Sequence, residues 1–250
     1  MRYKIVLEYD GSGFHGWQKQ RSGCRTVQEE VERALSHLTA DAAVTGSGRT
    51  DEGVHALGQV AHFDYDGGLD AATLMRALNH WLPEDICVKS CSAVPDTFDA
   101  RKSARRKTYE YVMYTADLPS PLRRTRECYI GASADVRAMN EAAGLLKGTH
   151  DFSAFCRSGS SAKTFTRTIY DSEVREEGDR IIYRVTGNGF LYNMVRIISG
   201  ALIRIGRNEK KAEDIGTALA SGNRVMMPDI APPQALYLAA VEYPDFPEQE

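Results

Sequence analysis

The chain has 250 residues, 42% hydrophobic and 26% charged, with a formal net charge of −3. That length accommodates one large domain or two compact halves, and the composition is that of a globular chain rather than a disordered one. No apolar run approaches the roughly 20 residues that span a bilayer, and MRYKIVLEYDGSG lacks the apolar stretch of a signal peptide, so a cytoplasmic location is expected.

Alternation over Tyr3–Tyr9 predicts a first strand, followed by the glycine-rich loop DGSGFHGWQKQ. Gly11, Gly13 and Gly16 match G-x-G-x-x-G, but helical periodicity resumes only near Val27, beyond Gly23, and no acidic residue ends a second strand at the required distance. A dinucleotide site is therefore excluded, because that motif must open a helix directly. Thr26 and Glu29 form a capping box, and Val27, Val31, Ala34, Leu35 and Leu38 supply a helical stripe. A short strand near Ala43–Thr45 and a longer one over Gly58–Asp64 flank the segment TGSGRTDEGVHALGQVAHF. Leu74, Ala77, Leu78 and Trp81 mark a second helix, stopped before Pro83, and Ile86–Val94 is again a strand. The order β-α-β-β-α-β is the ferredoxin-like split arrangement.

A second round follows, with a Tyr-rich strand over Thr108–Thr115 and a helix on Val136, Met139, Ala143 and Leu146. Phe165–Arg175 and Arg180–Thr186 form a hairpin turning at Glu177-Gly178-Asp179. A long helix over Phe190–Ile205, a shorter one over Ala212–Ala220 and a closing strand over Ala235–Tyr243 complete it. The fold class expected is α+β: two ferredoxin-like halves, 1–100 and 101–250, with a continuous, mainly antiparallel sheet flanked by helices and an active-site cleft between the halves. The polar tail from Pro244 to Glu250 is expected to fray.

Five cysteines, an odd number, are scattered along the chain, and no second Cys or His pair follows Cys87 and Cys91 at zinc-site distance. Neither structural zinc nor disulfides are expected. Charge is unevenly placed: Arg101, Lys102, Arg105, Arg106, Lys107, Arg123, Arg124 and Arg126 face only Glu110 and Asp117 within one segment, whereas acids dominate from Glu209 onward. Such a segment reads either as a solvated face or as a polyanion-binding one.

Three places invite chemistry. Between Thr45 and Phe63, Gly46, Gly48 and Gly53 surround Arg49, Asp51 and His55. Asp51 there either caps its own turn, with Arg49 as a structural partner, or is a reactive acid. A carboxylate beside arginine suits a nucleophile, since a nearby cation lowers its pKa by about 1–3 pH units. Along the long helix, Asn193, Arg196, Gly200 and Arg204 share a narrow stripe. Either that stripe meets solvent, or the helix is mostly buried and aims Arg196 at a carboxylate. Tyr109, beside Arg105, Arg106 and Lys107, either stacks on a base or is a core tyrosine. No H-E-x-x-H, C-x-x-C, Walker or G-x-S-x-G motif is present, so metal, nucleotide and acyl-transfer chemistry lack a basis.

The blocks YDGSGFHGWQKQ, TVQEEVERAL, GSGRTDEGVHALGQVAHF, FDARKSARRKTYEY and NGFLYNMVRIISGALIRIG, in this order, resemble the bacterial tRNA pseudouridine synthase A family over nearly the whole chain. The resemblance implies an isomerase that converts uridines on the 3′ side of the tRNA anticodon stem-loop, at tRNA positions 38, 39 and 40, to pseudouridine. It needs no cofactor or metal, works as a homodimer and takes tRNA as its partner. It places the nucleophile at Asp51 of GRTD, a nucleotide-holding role at Arg49, uracil contact at Tyr109 and a nucleophile-pairing arginine at Arg196. Glu52 departs from the family pattern, which usually carries alanine there. Two other readings remain: a catalytically silent RNA-binding module, and a glycoside hydrolase. The hydrolase is disfavoured because Glu52 is the neighbouring carboxylate and consecutive strand residues point to opposite faces.

Overall fold

The computed structural model describes residues 1–20, 23–160 and 162–246. In chain order the elements are β1 (Arg2–Tyr9), α1 (Val27–Ser36), β2 (Thr45–Gly46), β3 (His55–Asp64), α2 (Ala71–Trp81), β4 (Ile86–Val94), β5 (Arg106–Tyr114), β6 (Cys128–Tyr129), α3 (Val136–Gly144), β7 (Gly148–Asp151), β8 (Thr166–Glu177), β9 (Arg180–Gly187), α4 (Met194–Gly206), α5 (Glu213–Ser221) and β10 (Leu236–Glu242). The fold is α+β and mainly antiparallel. Chain contacts separate it into two units, one of Met1–Arg105 together with the chain from Tyr237 on, the other of Arg106–Leu236.

In the first unit, β1 alternates as its sequence dictates, with Tyr3, Ile5, Leu7 and Tyr9 inward. It lies between β4 and β3, antiparallel to both, and β2 adds to β3, giving the ferredoxin-like order 4-1-3-2. β2 is only two residues long, paired at His62 and Ala61, so much of that edge of β3 is left for another strand. β10 takes it, running parallel to β3 with Tyr237 opposite His55 and Leu238 opposite Ala56. The closing strand, expected in the second half, therefore belongs with the first.

α1 starts where the capping box predicts, Thr26 accepting from the Glu29 amide at 3.4 Å, and buries Val27, Val31, Ala34 and Leu35. α2 is capped by Asp70, which accepts from the Thr73 amide at 2.7 Å, and buries Leu74 and Leu78. Trp81, expected on the same stripe, stands at the end of the helix and is exposed, stacked on His37 at 3.9 Å between ring centres. The beginning of the tail expected to fray packs, the Phe246 ring lying 5.2 Å from that of Phe98; just before it, the Tyr243 hydroxyl donates to the Ala100 carbonyl at 2.6 Å. The last part of that tail, 247–250, lies outside the described residues.

In the second unit the order β5-β9-β8 repeats the 1-3-2 part of the pattern, β7 extends it beyond β8, and β6 pairs with β5. α3 is capped by Asp135 and packs on β8 and α4. The periodicity of the long helix begins at Phe190, but α4 begins at Met194. Asn193 stands in a left-handed conformation, φ 58°, which breaks the helical run before it. Once started, α4 buries Ile197, Ile198, Leu202 and Ile205 and is apolar around most of its circumference.

Candidate active site

The segment between β2 and β3 is an interrupted hairpin, and its shape comes from three neighbours. Gln59 on β3 braces the outgoing chain: its side chain accepts from Ser47 Oγ at 2.6 Å and donates to the Gly48 carbonyl at 3.0 Å. Tyr9 on β1 holds the centre, its hydroxyl 2.8 Å from that of Thr50 in a buried setting. The glycine-rich loop after β1 supports the rest. Trp17 donates its amide to the Thr50 carbonyl at 3.1 Å, and Phe14 accepts from the Gly53 amide at 3.3 Å. A side chain on Gly11 would collide with the Val54 carbonyl, and a methyl on Gly16 would lie 2.6 Å from the Thr50 carbonyl oxygen. The first and last glycines of G-x-G-x-x-G thus serve close backbone-to-backbone packing. It is the shelf on which Asp51 rests.

Asp51 opens a four-residue turn closed by the Val54 amide donating to its carbonyl at 3.1 Å, with Gly53 at φ +76°. The turn is therefore closed through backbone atoms. Asp51 is half-buried, whereas Glu52 is exposed with Oε1 3.4 Å from His15 Nδ1. Because Asp51 and Glu52 occupy a turn, the strand-alternation argument against a hydrolase does not apply to them. Arg49 is exposed, and its Nε donates to Gln18 Oε1 at 3.2 Å, a bond across to the loop after β1. His55 is buried, with Nδ1 2.9 Å from the Gly11 amide and 3.1 Å from Asp10 Oδ1, and its ring stacks on Tyr237 at 4.8 Å. It is a hinge pin for the loop, joining β3 to the shelf and to β10.

The other two candidates are in the second unit. Tyr109, on β5, is buried and makes an edge-to-face contact with the Phe190 ring at 5.1 Å. Two residues on, on the same face of the strand, Tyr111 is buried and donates its hydroxyl to the Pro232 carbonyl at 2.9 Å. Burial drives the Tyr111 hydroxyl pKa far upward, so it stays a donor. Arg196, on α4, is half-buried and donates Nε to the Ala231 carbonyl at 2.8 Å. The segment before β10 lies along its stripe, touching it at Arg196 and Gly200, while Arg204 at the far end is half-exposed. Arg196 and the Tyr-bearing strand thus grip adjacent peptide groups of one segment, a convergence that sequence spacing could not reveal.

Of the basic segment, Arg123 is partly neutralised by Asp179 at 2.7 Å and lies over the Tyr114 ring at 4.9 Å. A second basic group went unnoticed in the sequence because its members are far apart in the chain. Arg157 lies over the exposed Tyr192 ring at 5.7 Å, and its amide donates to the Tyr192 carbonyl at 3.1 Å. Arg167 donates to the carbonyls of Thr164 at 3.0 Å and Thr166 at 2.7 Å. Arg224 reaches the Pro228 carbonyl at 3.4 Å. Burial pulls the pKa of both Arg167 and Arg224 below the ordinary arginine value, with the Asp229 carboxylate opposing this at Arg224. The exposed Phe165 lies two residues before Arg167. Guanidinium groups held partly out of water against carbonyl oxygens and flanked by exposed aromatics suit phosphate and base contact.

Among the described residues, no three His, Cys, Asp or Glu side chains are grouped to hold a metal ion, and no helix is long and apolar enough to cross a membrane. Two α+β units, one presenting a carboxylate on a braced hairpin loop and the other carrying aromatic-flanked cations, make a protein equipped to act on a polyanion. The chain belongs to the tRNA pseudouridine synthase family, whose model matches residues 5–101 and 142–244. It is similar to the tRNA pseudouridine synthase A of Acetivibrio thermocellus, at 44% identity over 241 residues, 96% of this chain and 98% of the relative. It is also similar to that of Ruminiclostridium cellulolyticum, at 43% over 244 residues, covering 97% and 99%. The enzyme of the same name from Anoxybacillus flavithermus is 44% identical over 247 residues, covering 97% and 98%.

Proposed function

We propose that this protein is an isomerase that converts uridine to pseudouridine in tRNA, with Asp51 as its nucleophile. The observation that carries the assignment is the loop itself: Ser47, Gly48, Thr50 and Gly53 are each tied by hydrogen bonds to β1, β3 or the shelf, and Asp51 is the acid those ties present. Such pre-organisation is what nucleophilic catalysis asks of a scaffold. The reaction breaks the N1–C1′ glycosidic bond, turns the base and joins C1′ to C5 of the same uracil; C5 gives up its proton and N1 takes one up, so atoms and electrons balance without a co-reactant.

The target uridine must leave its stack, at a cost of a few kcal/mol that contacts elsewhere must supply. Arg49, exposed and steadied by Gln18, is assigned to the space the nucleotide vacates. Arg157, Arg167 and Arg224 are assigned to phosphates, and Tyr192 to a base. Tyr109 is assigned to uracil contact, and Arg196 to the catalytic machinery. The assignment extends to uridines on the 3′ side of the anticodon stem-loop, to a cytoplasmic location and to a homodimer, which light scattering across a dilution series measures directly.

Incubation with unmodified tRNA, followed by quantification of pseudouridine, tests the proposal. Product should form without added cofactor, and Asp51→Ala should abolish it while tRNA binding persists. Full activity of Asp51→Ala would remove the nucleophile assignment. Free uracil as product would identify a hydrolase, and tRNA binding without product by the wild type would identify a silent RNA-binding module.

A further inference from the structure

The stripe of α4 that carries Arg196 is covered by a strap, Asp229 to Pro232, fastened at several points. At one end Arg204 grips the Asp229 carboxylate with two nitrogens, Nε to Oδ2 at 2.5 Å and Nη2 to Oδ1 at 3.0 Å, a bidentate fork that fixes angle as well as distance. One turn earlier Gly200 leaves room for the strap to touch the helix. A methyl there would stand 3.2 Å from both Asp229 Cβ and the Asp229 carbonyl oxygen. A further turn earlier the contact is reciprocal: the Ala231 amide donates to the Arg196 carbonyl at 3.0 Å, and Arg196 Nε donates to the Ala231 carbonyl at 2.8 Å. The other end is held from β5, where Tyr111 donates to the Pro232 carbonyl.

Arg196, Gly200 and Arg204 recur every four residues, so the three contacts share one face of the helix. The strap therefore cannot shift along α4 without breaking the Arg204 fork and turning the Arg196 guanidinium together. We propose that Arg204 and Asp229 are positioning residues for the isomerisation: their fork latches the strap so that the Ala231 carbonyl sets the orientation of the Arg196 guanidinium. The proposal rests on the assignment of Arg196 to the catalytic machinery. The latch itself is half-exposed, and exposed ion pairs contribute little to folding. The apolar burial of α4 holds the helix in place independently.

The test uses the full chain with Asp229→Asn, Arg204→Gln and the exchanged pair Arg204→Asp/Asp229→Arg. Each single variant should lower kcat on tRNA by about tenfold, as small misplacements of a catalytic group do. The tRNA Kd and the melting temperature should stay at wild-type values, amide exchange at Ala231 should accelerate, and the exchanged pair should recover most of kcat. With Arg196→Lys already present, Asp229→Asn should cost nothing further, because the group it orients is gone. Unchanged kcat in Asp229→Asn overturns the proposal, and so does an equal loss in the Arg196→Lys background. Wild-type turnover by Arg196→Lys would remove the assignment of Arg196 and the proposal with it. Ala231 exchange would still report whether the latch holds the strap.

Discussion

Tyr9 and Thr50, forty-one positions apart in the chain, bring their hydroxyls to 2.8 Å in a buried setting, one residue before Asp51. This contact ties the middle strand of the first unit to the loop at the place where geometry matters most. Tyr9→Phe keeps the ring and its packing near Trp17, at 6.3 Å between centres, and removes only the hydroxyl. Depriving a buried polar group of a partner costs about 1–3 kcal/mol. Tyr9→Phe should therefore lower stability by that amount in urea unfolding and reduce kcat, with tRNA affinity unchanged. Unaltered kcat would show that the loop keeps its shape without this tie.

Gly16 offers a sharper comparison because Gly23 serves as its control. Both have positive φ, +86° and +71°, but a methyl at Gly16 meets the Thr50 carbonyl oxygen at 2.6 Å, while at Gly23 nothing lies within 4 Å. Gly23→Ala should cost about 1 kcal/mol, the strain of the backbone conformation alone. Gly16→Ala adds a collision with backbone and should cost clearly more, with loss of turnover. Equal costs in thermal unfolding would mean that the shelf yields to the added methyl.

The strands and helices were legible where one face is buried, because alternation and the 3.6-residue stripe are consequences of that burial. β1, α1, β4, α3 and the β8–β9 hairpin all follow from periodicity and capping residues. The beginning of α4 was not legible, since the apolar run continues smoothly through Leu191 while the backbone turns left-handed at Asn193. Nor was the place of β10, which depends on how much edge β2 leaves uncovered on β3. Asp51 and Arg49 stand out because glycines and charges crowd together in eight residues. The cations Arg157, Arg167 and Arg224 gather only in three dimensions, as do Arg196 and the strap it grips.

His62 gives the first unit a pH dependence whose sign can be worked out. Burial, aided by the positive charge of Arg2, lowers its pKa below the ordinary 6.5, with Asp99 and Asp64 opposing weakly. Its Nδ1 accepts from the Ala100 amide at 3.1 Å, a bond that only the neutral ring makes. The folded state therefore binds fewer protons than the unfolded state. The stabilisation is fully present above pH 6.5 and is lost as pH falls through the lowered folded pKa. Urea unfolding between pH 7.5 and 5 should show stability declining with acidity, and His62→Gln should flatten that decline. Parallel curves for the two proteins would show that His62 does not contribute to it.

If Arg157, Arg167 and Arg224 contact phosphates, the effect appears in salt dependence rather than in chemistry. Each cation that neutralises a phosphate releases counterions and adds about one to the slope of log affinity against log salt. Replacing any one of the three with glutamine should raise the tRNA Kd and reduce that slope by about one, leaving single-turnover kcat at saturating tRNA intact. Arg137 is the control, since it is exposed and already pairs with Glu141 at 3.1 Å; Arg137→Gln should leave the slope unchanged. Removing Tyr192, as Tyr192→Ala, should weaken binding without altering the slope, because stacking on a base carries no counterion term. A triple arginine variant with the wild-type slope would place the phosphate contacts elsewhere on the protein, and the exposed basic residues between Arg101 and Arg126 would be next to test.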